Sequence, residues 1–274
     1  MEQRIQIHEQ VYLGLGVTLC GGLMLRAEMV AVPLAVGLLT ACYAWLLFRS
    51  SCGSRWRLLA AYLATWALYS GSTVLVEWMH VPLRHETLLA GDAALFGKSP
   101  AIALQTHMTS WVNELLALGY MSYHVYLHWV LIEALCLRDD RLRAGLSVRL
   151  FTAFGVGFAG YILFPAAPPA TAFPELFAQP ISGGFLVHAN EAVNAALASR
   201  YDAFPSLHVL ITATLLAWDW RTHRWRFWLM LVPSTLMLAA TLGLRLHYAV
   251  DLIASTILFI ILTLLHARFE PKPR

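Results

Sequence analysis

Residues 244–255 read LRLHYAVDLIAS and place an arginine, a histidine and an aspartate inside an otherwise apolar stretch. Arg245, His247 and Asp251 fall within seven residues of one another. Charged groups in apolar surroundings are costly, so they are usually paired and often functional. The rest of the chain must show whether this stretch is a membrane segment and what its polar side chains do.

The composition of the chain is that of an integral membrane protein. Of its 274 residues, 59% are hydrophobic and 13% are charged, and the mean hydropathy is +0.62. A soluble domain of this size could not cover so much apolar surface. The net charge of +3 is small and dispersed, which argues against a nucleic-acid partner. The four cysteines have no metal-ligand spacing, and we expect neither a metal nor a cofactor.

Eight stretches fit the requirement of about 20 mostly apolar residues for a membrane-spanning helix. We therefore predict an all-α polytopic membrane bundle of about eight transmembrane helices. We expect residues 1–80 to be N-terminal membrane helices of unknown role and residues 81–274 to be a single catalytic membrane domain. The eight predicted segments are 8–25, 29–48, 58–80, 109–137, 149–166, 205–220, 227–247 and 249–267.

The basic residues predict the orientation of these segments. The N-terminus, the loops after segments 2, 4 and 6, and the C-terminal tail hold fourteen of the nineteen Lys and Arg residues. By the positive-inside bias, both termini are then cytoplasmic. We expect an integral protein of a bacterial inner membrane, with the alternate loops on the periplasmic face. Those alternate loops hold Arg26, Arg84, Lys98, Arg200 and Arg245.

Unusual residues from three distant parts of the chain converge on the predicted outer face. His208, in FPSLHV, lies at the outer end of segment 6, and His247 and Asp251 lie at the turn between segments 7 and 8. The long outer segment after segment 5 opens with FPAAPPATAFP and contains FLVHANEAVNAALA, a candidate short interfacial helix. Loops of this length are uncommon unless they are functional.

The spacing of His247 and Asp251 is typical of an oriented nucleophile or base. The two residues are four apart, so on a helix they share a face. A carboxylate beside an imidazole fixes its tautomer and stabilises the charged ring. Arg245 is close in sequence, and its planar fork matches phosphate oxygens.

The start of segment 6 is predicted to bind an anion. Pro205 is well suited to the first position of a helix. The backbone N–H groups of Ser206, Leu207 and His208 would then lack intrahelical partners, and the Ser206 hydroxyl adds a donor.

Together these groups suggest metal-independent phosphoryl transfer through histidine. One imidazole attacks phosphorus, the other protonates the leaving oxygen, and the donors hold the equatorial oxygens. The alternative is structural: a buried ion pair between Arg245 and Asp251, with His208 as a satisfied interfacial histidine.

FPSLHV at 204–209, followed by GLRLHYAVD at 243–251, resembles the second and third signature motifs of the type 2 phosphatidic acid phosphatase superfamily. The resemblance implies a phosphatidic-acid-phosphatase-type core with His247 as nucleophile and Asp251 as its partner. It also implies that His208 is the general acid and that Ser206 binds phosphate. The resemblance covers roughly residues 90–267.

The departures from the superfamily pattern indicate a particular branch. The usual first motif is absent, and Thr241 stands where the third motif normally has arginine. The pattern resembles the branch that contains the inositol phosphorylceramide synthases, which also has an upstream D..LFG, here at 92–97, and prolines matching Pro165, Pro168 and Pro169.

The missing first motif leaves the phosphate clamp to other cations. Arg245, Arg200 and Lys98 are the candidates. From the branch resemblance we expect a phosphotransferase that moves a phospho-head group from a phospholipid or lipid phosphate to a lipid alcohol, as in sphingolipid metabolism. The alternatives are a lipid phosphate phosphatase of the same superfamily and a non-catalytic lipid-binding or transport protein.

Overall fold

The computed structural model describes residues 5–26, 31–136, 139–197 and 199–269, and within these ranges the chain is an all-α protein. The β contact recorded there is an isolated parallel bridge between Ala166 and Asp202. Short 3₁₀ turns follow α5 and α8. The helices are α1 (Ile7–Arg26), α2 (Ala31–Arg49), α3 (Arg55–Met79), α4 (His85–Phe96), α5 (Pro100–Ala103), α6 (Ser110–Cys136), α7 (Asp140–Leu163), α8 (Pro169–Ala172), α9 (Phe185–Leu197), α10 (Leu207–Thr222), α11 (Arg224–Gly243) and α12 (Ala249–Phe269).

Each of the eight predicted segments coincides with a helix, and the fold class is confirmed. Five of the described helices are long and apolar enough to cross a membrane, namely α3, α6, α7, α11 and α12. The chain is therefore an integral membrane protein by composition and helix length. Arg4, Arg138 and residues 270–274, which entered the orientation argument, lie outside the described residues.

Two predicted boundaries were wrong. Helix α7 begins at Asp140 rather than 149, because the Asp139 carboxylate accepts the N–H groups of Arg141 and Leu142 at 2.8 and 3.1 Å and caps the helix. Helix α11 ends at Gly243 rather than 247. The outer segment 81–108, for which no helix was predicted, contains α4, α5 and a 3₁₀ turn.

The chain divides into two compact units. The first consists of residues 1–81 and 130–163, and the second of residues 82–129 and 164–274. In the first unit α3 packs on α7, and α1 packs on α2 and α3. A buried ion pair between Glu9 and Arg57 lies in this unit. The predicted division at 80/81 into two functional domains stays a prediction.

In the second unit, α10 packs against both α11 and α12, and α12 packs against α4. The proline-rich segment, residues 164–180, also belongs to this unit. Its Pro165 carbonyl accepts the Arg84 N–H at 2.8 Å, and its Ala166 carbonyl accepts the Ala203 N–H at 3.0 Å. The predicted short helix at 185–198 is α9. Glu114 caps α9 by accepting the N–H group of Gly184, just before the helix, and those of Leu186 and Val187 in its first turn, so this carboxylate has a structural role.

Candidate active site

His247 lies in a tight turn between α11 and α12, at the predicted turn between segments 7 and 8, and Asp251 lies in the first turn of α12. The turn forms because the Thr241 carbonyl accepts the N–H groups of both Leu246 and His247, each at 2.9 Å. The Thr241 side chain is buried and donates to Leu238 at 2.7 Å. At the position where an arginine was expected from the superfamily motif, this chain therefore has a residue that closes the turn.

The tautomer of His247 follows from its hydrogen bonds. Its Nδ1 lies 2.9 Å from the Ala203 carbonyl oxygen and 3.4 Å from Asp251 Oδ2. A carbonyl oxygen only accepts, so Nδ1 has a proton, and in the neutral form of the ring the lone pair is on Nε2. The predicted contact with Asp251 is present, but the nearer partner is a backbone carbonyl from the segment before α10. The side chain is buried, with 3% of its surface exposed.

Asp251 is fully buried and joins the turn to α12. Its Oδ2 accepts the Tyr248 N–H at 2.9 Å, within reach of His247 Nδ1. Tyr248 in turn donates its hydroxyl to the Ala167 carbonyl at 3.1 Å. Burial raises the pKa of Tyr248 above its ordinary value, so this phenol stays neutral and remains a donor. The backbone N–H of Tyr248 therefore fixes the Asp251 carboxylate, and its hydroxyl fixes the proline-rich segment, relative to His247.

His208 lies close to His247 and is enclosed by aromatic rings. The centroids of the two imidazoles are 5.7 Å apart, and the Tyr120 and Tyr123 rings lie 4.5 and 4.6 Å from that of His208. Among the described residues, His208 Nδ1 has no hydrogen-bond partner. The structure thus brings the two motif histidines together at the N-terminal ends of α10 and α12.

The N-terminus of α10 is open. The helix begins at Leu207 with Ser206 as its N-cap, so the placement of Pro205 at the first helical position was wrong. The N–H groups of Leu207, His208 and Val209 lack intrahelical partners by position. Ser206 makes no side-chain cap bond, and its fully buried hydroxyl has no partner among the described residues. An anion is the ligand that such a helix end favours.

The N-terminus of α12, by contrast, is occupied by protein carboxylates. Asp92 of α4 accepts the N–H of Ala249 at 3.2 Å and of Val250 at 2.9 Å, and the hydroxyl of Ser99 at 2.6 Å. Asp251 takes the N–H of Tyr248. This gives a physical role to the first residue of the D..LFG motif: it caps the helix that follows His247.

Arg245 is buried and held in an unusual backbone conformation. It has a φ of 61°, in the left-handed region, and 7% of its surface is exposed. Its guanidinium carbon lies 4.5 Å from the centroid of the Phe177 ring, and its Nε has no partner among the described residues. Burial lowers the pKa of this guanidinium. The alternative ion pair with Asp251 is not what the structure shows, since Asp251 contacts His247 and Arg245 stacks on Phe177.

The other two candidate cations lie on exposed positions. Lys98 follows Gly97 at the C-terminal end of α4, and Arg200 lies in a turn before Asp202. Neither position tests their proposed role in the phosphate clamp, which stays a prediction.

Four residues around the histidines were missed from the sequence as parts of the site. The Ala203 carbonyl left no side-chain signal, and Tyr120, Tyr123 and Phe177 looked like ordinary aromatic residues in a membrane protein rich in them. Tyr120 and Tyr123 lie on α6, which is distant in sequence from α10. Their contact with His208 arises from tertiary packing alone.

A family match covers the part of the chain that contains these residues. A family model described as the PAP2 superfamily matches residues 86–265, which include nearly all of α4, the proline-rich segment and both motif histidines. No curated protein and no solved structure matches the chain.

Proposed function

Because the chain belongs to the PAP2 superfamily, a group with phosphatase- and phosphotransferase-type function, we propose that it is a metal-independent lipid phosphotransferase that acts through a phosphohistidine at His247. The observation that supports this most strongly is the hydrogen bond from His247 Nδ1 to the Ala203 carbonyl at 2.9 Å. This bond leaves Nε2 with a lone pair, which a nucleophile requires. Asp251 beside the same ring stabilises the positive charge that develops during attack.

In the first step, Nε2 of His247 attacks the phosphorus of a lipid phosphate or phosphodiester. The bond from phosphorus to the leaving oxygen breaks, and His208 gives its proton to that oxygen. In the second step, His208 takes the proton of an acceptor hydroxyl, whose oxygen attacks phosphorus. The phosphorus–nitrogen bond breaks and the lone pair returns to Nε2.

We propose that the phosphate lies at the open N-terminus of α10. The Ser206 hydroxyl, the N–H groups of the first turn and the Arg245 guanidinium then hold its equatorial oxygens. A negatively charged substrate beside His208 also favours the protonated imidazole that an acid needs.

We further propose that the acceptor is a lipid alcohol. The supporting observation is the enclosure of His208 by the buried rings of Tyr120 and Tyr123, which makes the surroundings of the acid apolar. Transfer to water, as in a lipid phosphate phosphatase, is the competing outcome. Turnover of a phospholipid with and without added long-chain alcohol distinguishes them: a new lipid product indicates transfer, and release of phosphate or a free head group indicates hydrolysis.

The experiment that tests the phosphohistidine uses the protein in vesicles, with a chelator present and a substrate labelled in its phosphate. We expect vanadate-sensitive turnover and, after a rapid detergent quench, a protein-bound label that survives alkali and is lost in acid. Turnover without bound label would indicate direct attack by the acceptor. No turnover of any phospholipid or lipid phosphate would favour a non-catalytic lipid-binding protein.

We propose that the site faces the non-cytoplasmic side. Single cysteines at Ala178, in the proline-rich segment, and at Thr222, at the end of α10, should react with an impermeant reagent from opposite sides of the membrane. The background for this test is a variant in which Cys20, Cys42, Cys52 and Cys136 are replaced by serine, since none of the four forms a disulfide among the described residues. Labelling of both positions from one side would contradict the orientation.

A further inference from the structure

The guanidinium of Arg245 owes its position to an aromatic ring rather than to an ion pair. Its Cζ lies 4.5 Å from the centroid of the Phe177 ring, a distance typical of a stacked cation–π contact. The Arg245 backbone is fixed as well. Its N–H donates to the Leu242 carbonyl at 3.0 Å, and its carbonyl accepts the Ala170 N–H at 3.2 Å. The backbone of Arg245 is therefore held and its guanidinium lies over the Phe177 ring, while Nε has no partner among the described residues.

Phe177 is itself held from both sides by a single side chain. The Gln105 amide donates from Nε2 to the Leu176 carbonyl at 3.3 Å and accepts the Ala178 N–H at Oε1 at 2.9 Å. Leu176 and Ala178 are exposed, whereas Phe177 between them is half-buried. The two bonds thus orient the segment so that the ring of Phe177 points inward onto Arg245.

These contacts form a chain from the 3₁₀ turn before α6, through the proline-rich segment, to the turn before α12. A long arginine side chain has many rotamers, and ordering it at the moment of binding lowers affinity. A guanidinium that is already stacked loses less freedom when a phosphate binds to its edge. A ring below the guanidinium also leaves its in-plane N–H groups available to oxygen atoms.

We propose that Gln105 and Phe177 are positioning residues that hold Arg245 ready for the substrate phosphate. This inference rests on the proposed function, in which Arg245 binds the transferred phosphoryl group. Neither residue touches the substrate in this arrangement: Gln105 acts through Phe177, and Phe177 acts through Arg245.

The test is a double-mutant cycle on turnover and on inhibition by vanadate, with the full-length protein in vesicles. Gln105→Ala and Phe177→Leu should each reduce kcat/KM and vanadate affinity about tenfold, while Phe177→Trp, which keeps an aromatic face, retains near-normal values. Arg245→Gln alone should reduce kcat by about 10²–10³-fold. Thr106→Ala is the matched control, because its exposed hydroxyl contacts His107 in the same 3₁₀ turn.

The decisive comparison is Gln105→Ala in the Arg245→Gln background. If Gln105 acts through Arg245, the second substitution has no further effect, since contacting residues in one network are not additive. Additive losses, or a Phe177→Trp variant as impaired as Phe177→Leu, would overturn the inference while leaving the histidine chemistry intact. An Arg245→Gln variant with normal turnover would remove Arg245 from the phosphate site and overturn the inference. A wild-type protein without vanadate-sensitive turnover would overturn the proposed function as well.

Discussion

The N-terminal ends of α10 and α12 lie next to His208 and His247, but their backbone N–H groups are capped differently. At α12, the carboxylates of Asp92 and Asp251 accept the N–H groups of three successive residues, 248–250. At α10, Ser206 occupies the N-cap position without making the cap bond, and its hydroxyl is buried without a partner among the described residues.

The difference indicates that the two helix ends have different roles, one structural and one in binding. Each helix N-terminus has a partial positive charge that favours an anion. At α12 the protein supplies its own anions, so this end fixes the backbone beside His247 and has no donors left for a ligand in its first turn. At α10 the N–H groups of Leu207, His208 and Val209 have no acceptor among the described residues, so this end is the one suited to phosphate. Four variants test this comparison.

His247→Ala should have the largest effect, because no phosphoenzyme can form without its Nε2. We expect turnover to fall by about 10⁴-fold or more. The measurement is steady-state turnover together with the protein-bound label described above. His188→Ala on α9 is the control, since this exposed histidine contacts Glu191 and not the site. Substantial turnover by His247→Ala would show that another residue is the nucleophile, and the N-terminus of α12 would then not be the end that positions it.

His208→Ala should have the next largest effect, and its size should depend on the leaving group. General acid catalysis contributes about 10²–10⁴-fold, so a lipid leaving group loses that factor. A nitrophenyl-type leaving group needs no proton and should lose much less. Turnover of both substrates by the same variant measures the difference. Equal losses would indicate that His208 holds the substrate or the fold and does not donate the proton.

Ser206→Ala should lower activity without lowering stability. The hydroxyl makes no cap bond, so the usual cost of losing an N-cap, about 0.5–2 kcal/mol, is not expected. Removing one donor to a developing negative charge costs up to about 10²-fold in turnover. The measurements are kcat and the midpoint of thermal inactivation in detergent. A lower midpoint with normal kcat would mean that Ser206 is a structural cap like Asp92.

Asp92→Ala should show the opposite pattern and the smallest direct effect on chemistry. It leaves two backbone N–H groups and the Ser99 hydroxyl buried without their acceptor, at a cost of about 1–3 kcal/mol for each unsatisfied group. We expect a clearly lower midpoint of thermal inactivation. We expect only a small decrease in kcat, because Asp92 affects His247 only through the position of the turn before α12. Asp92→Asn keeps an acceptor and should lie between this variant and the wild type. A stable Asp92→Ala variant that has lost its turnover would instead give Asp92 a direct role in catalysis.

Much of the candidate site was predictable because its signals are local. His208, His247 and Asp251 stand out as polar residues in apolar segments, and the alternation of basic loops brought them to one predicted face. The predicted end of segment 7 at residue 247 was wrong, because helix periodicity does not report where the Thr241 carbonyl accepts two N–H groups and α11 ends. Likewise, α7 begins nine residues before the predicted start at 149, because Asp139 caps it from a loop whose sequence was noted only for its basic residues.

The sequence by itself determined that this protein is a helical membrane bundle and which residues are the candidates for phosphoryl transfer, because hydropathy and residue type are properties of short stretches. Tertiary structure alone decided how those residues are oriented. The Ala203 carbonyl fixes the His247 tautomer, Asp92 caps α12 from 157 residues away, and Phe177 holds Arg245. A backbone carbonyl has no sequence signature, and contacts between distant segments exist only once packing has brought those segments together.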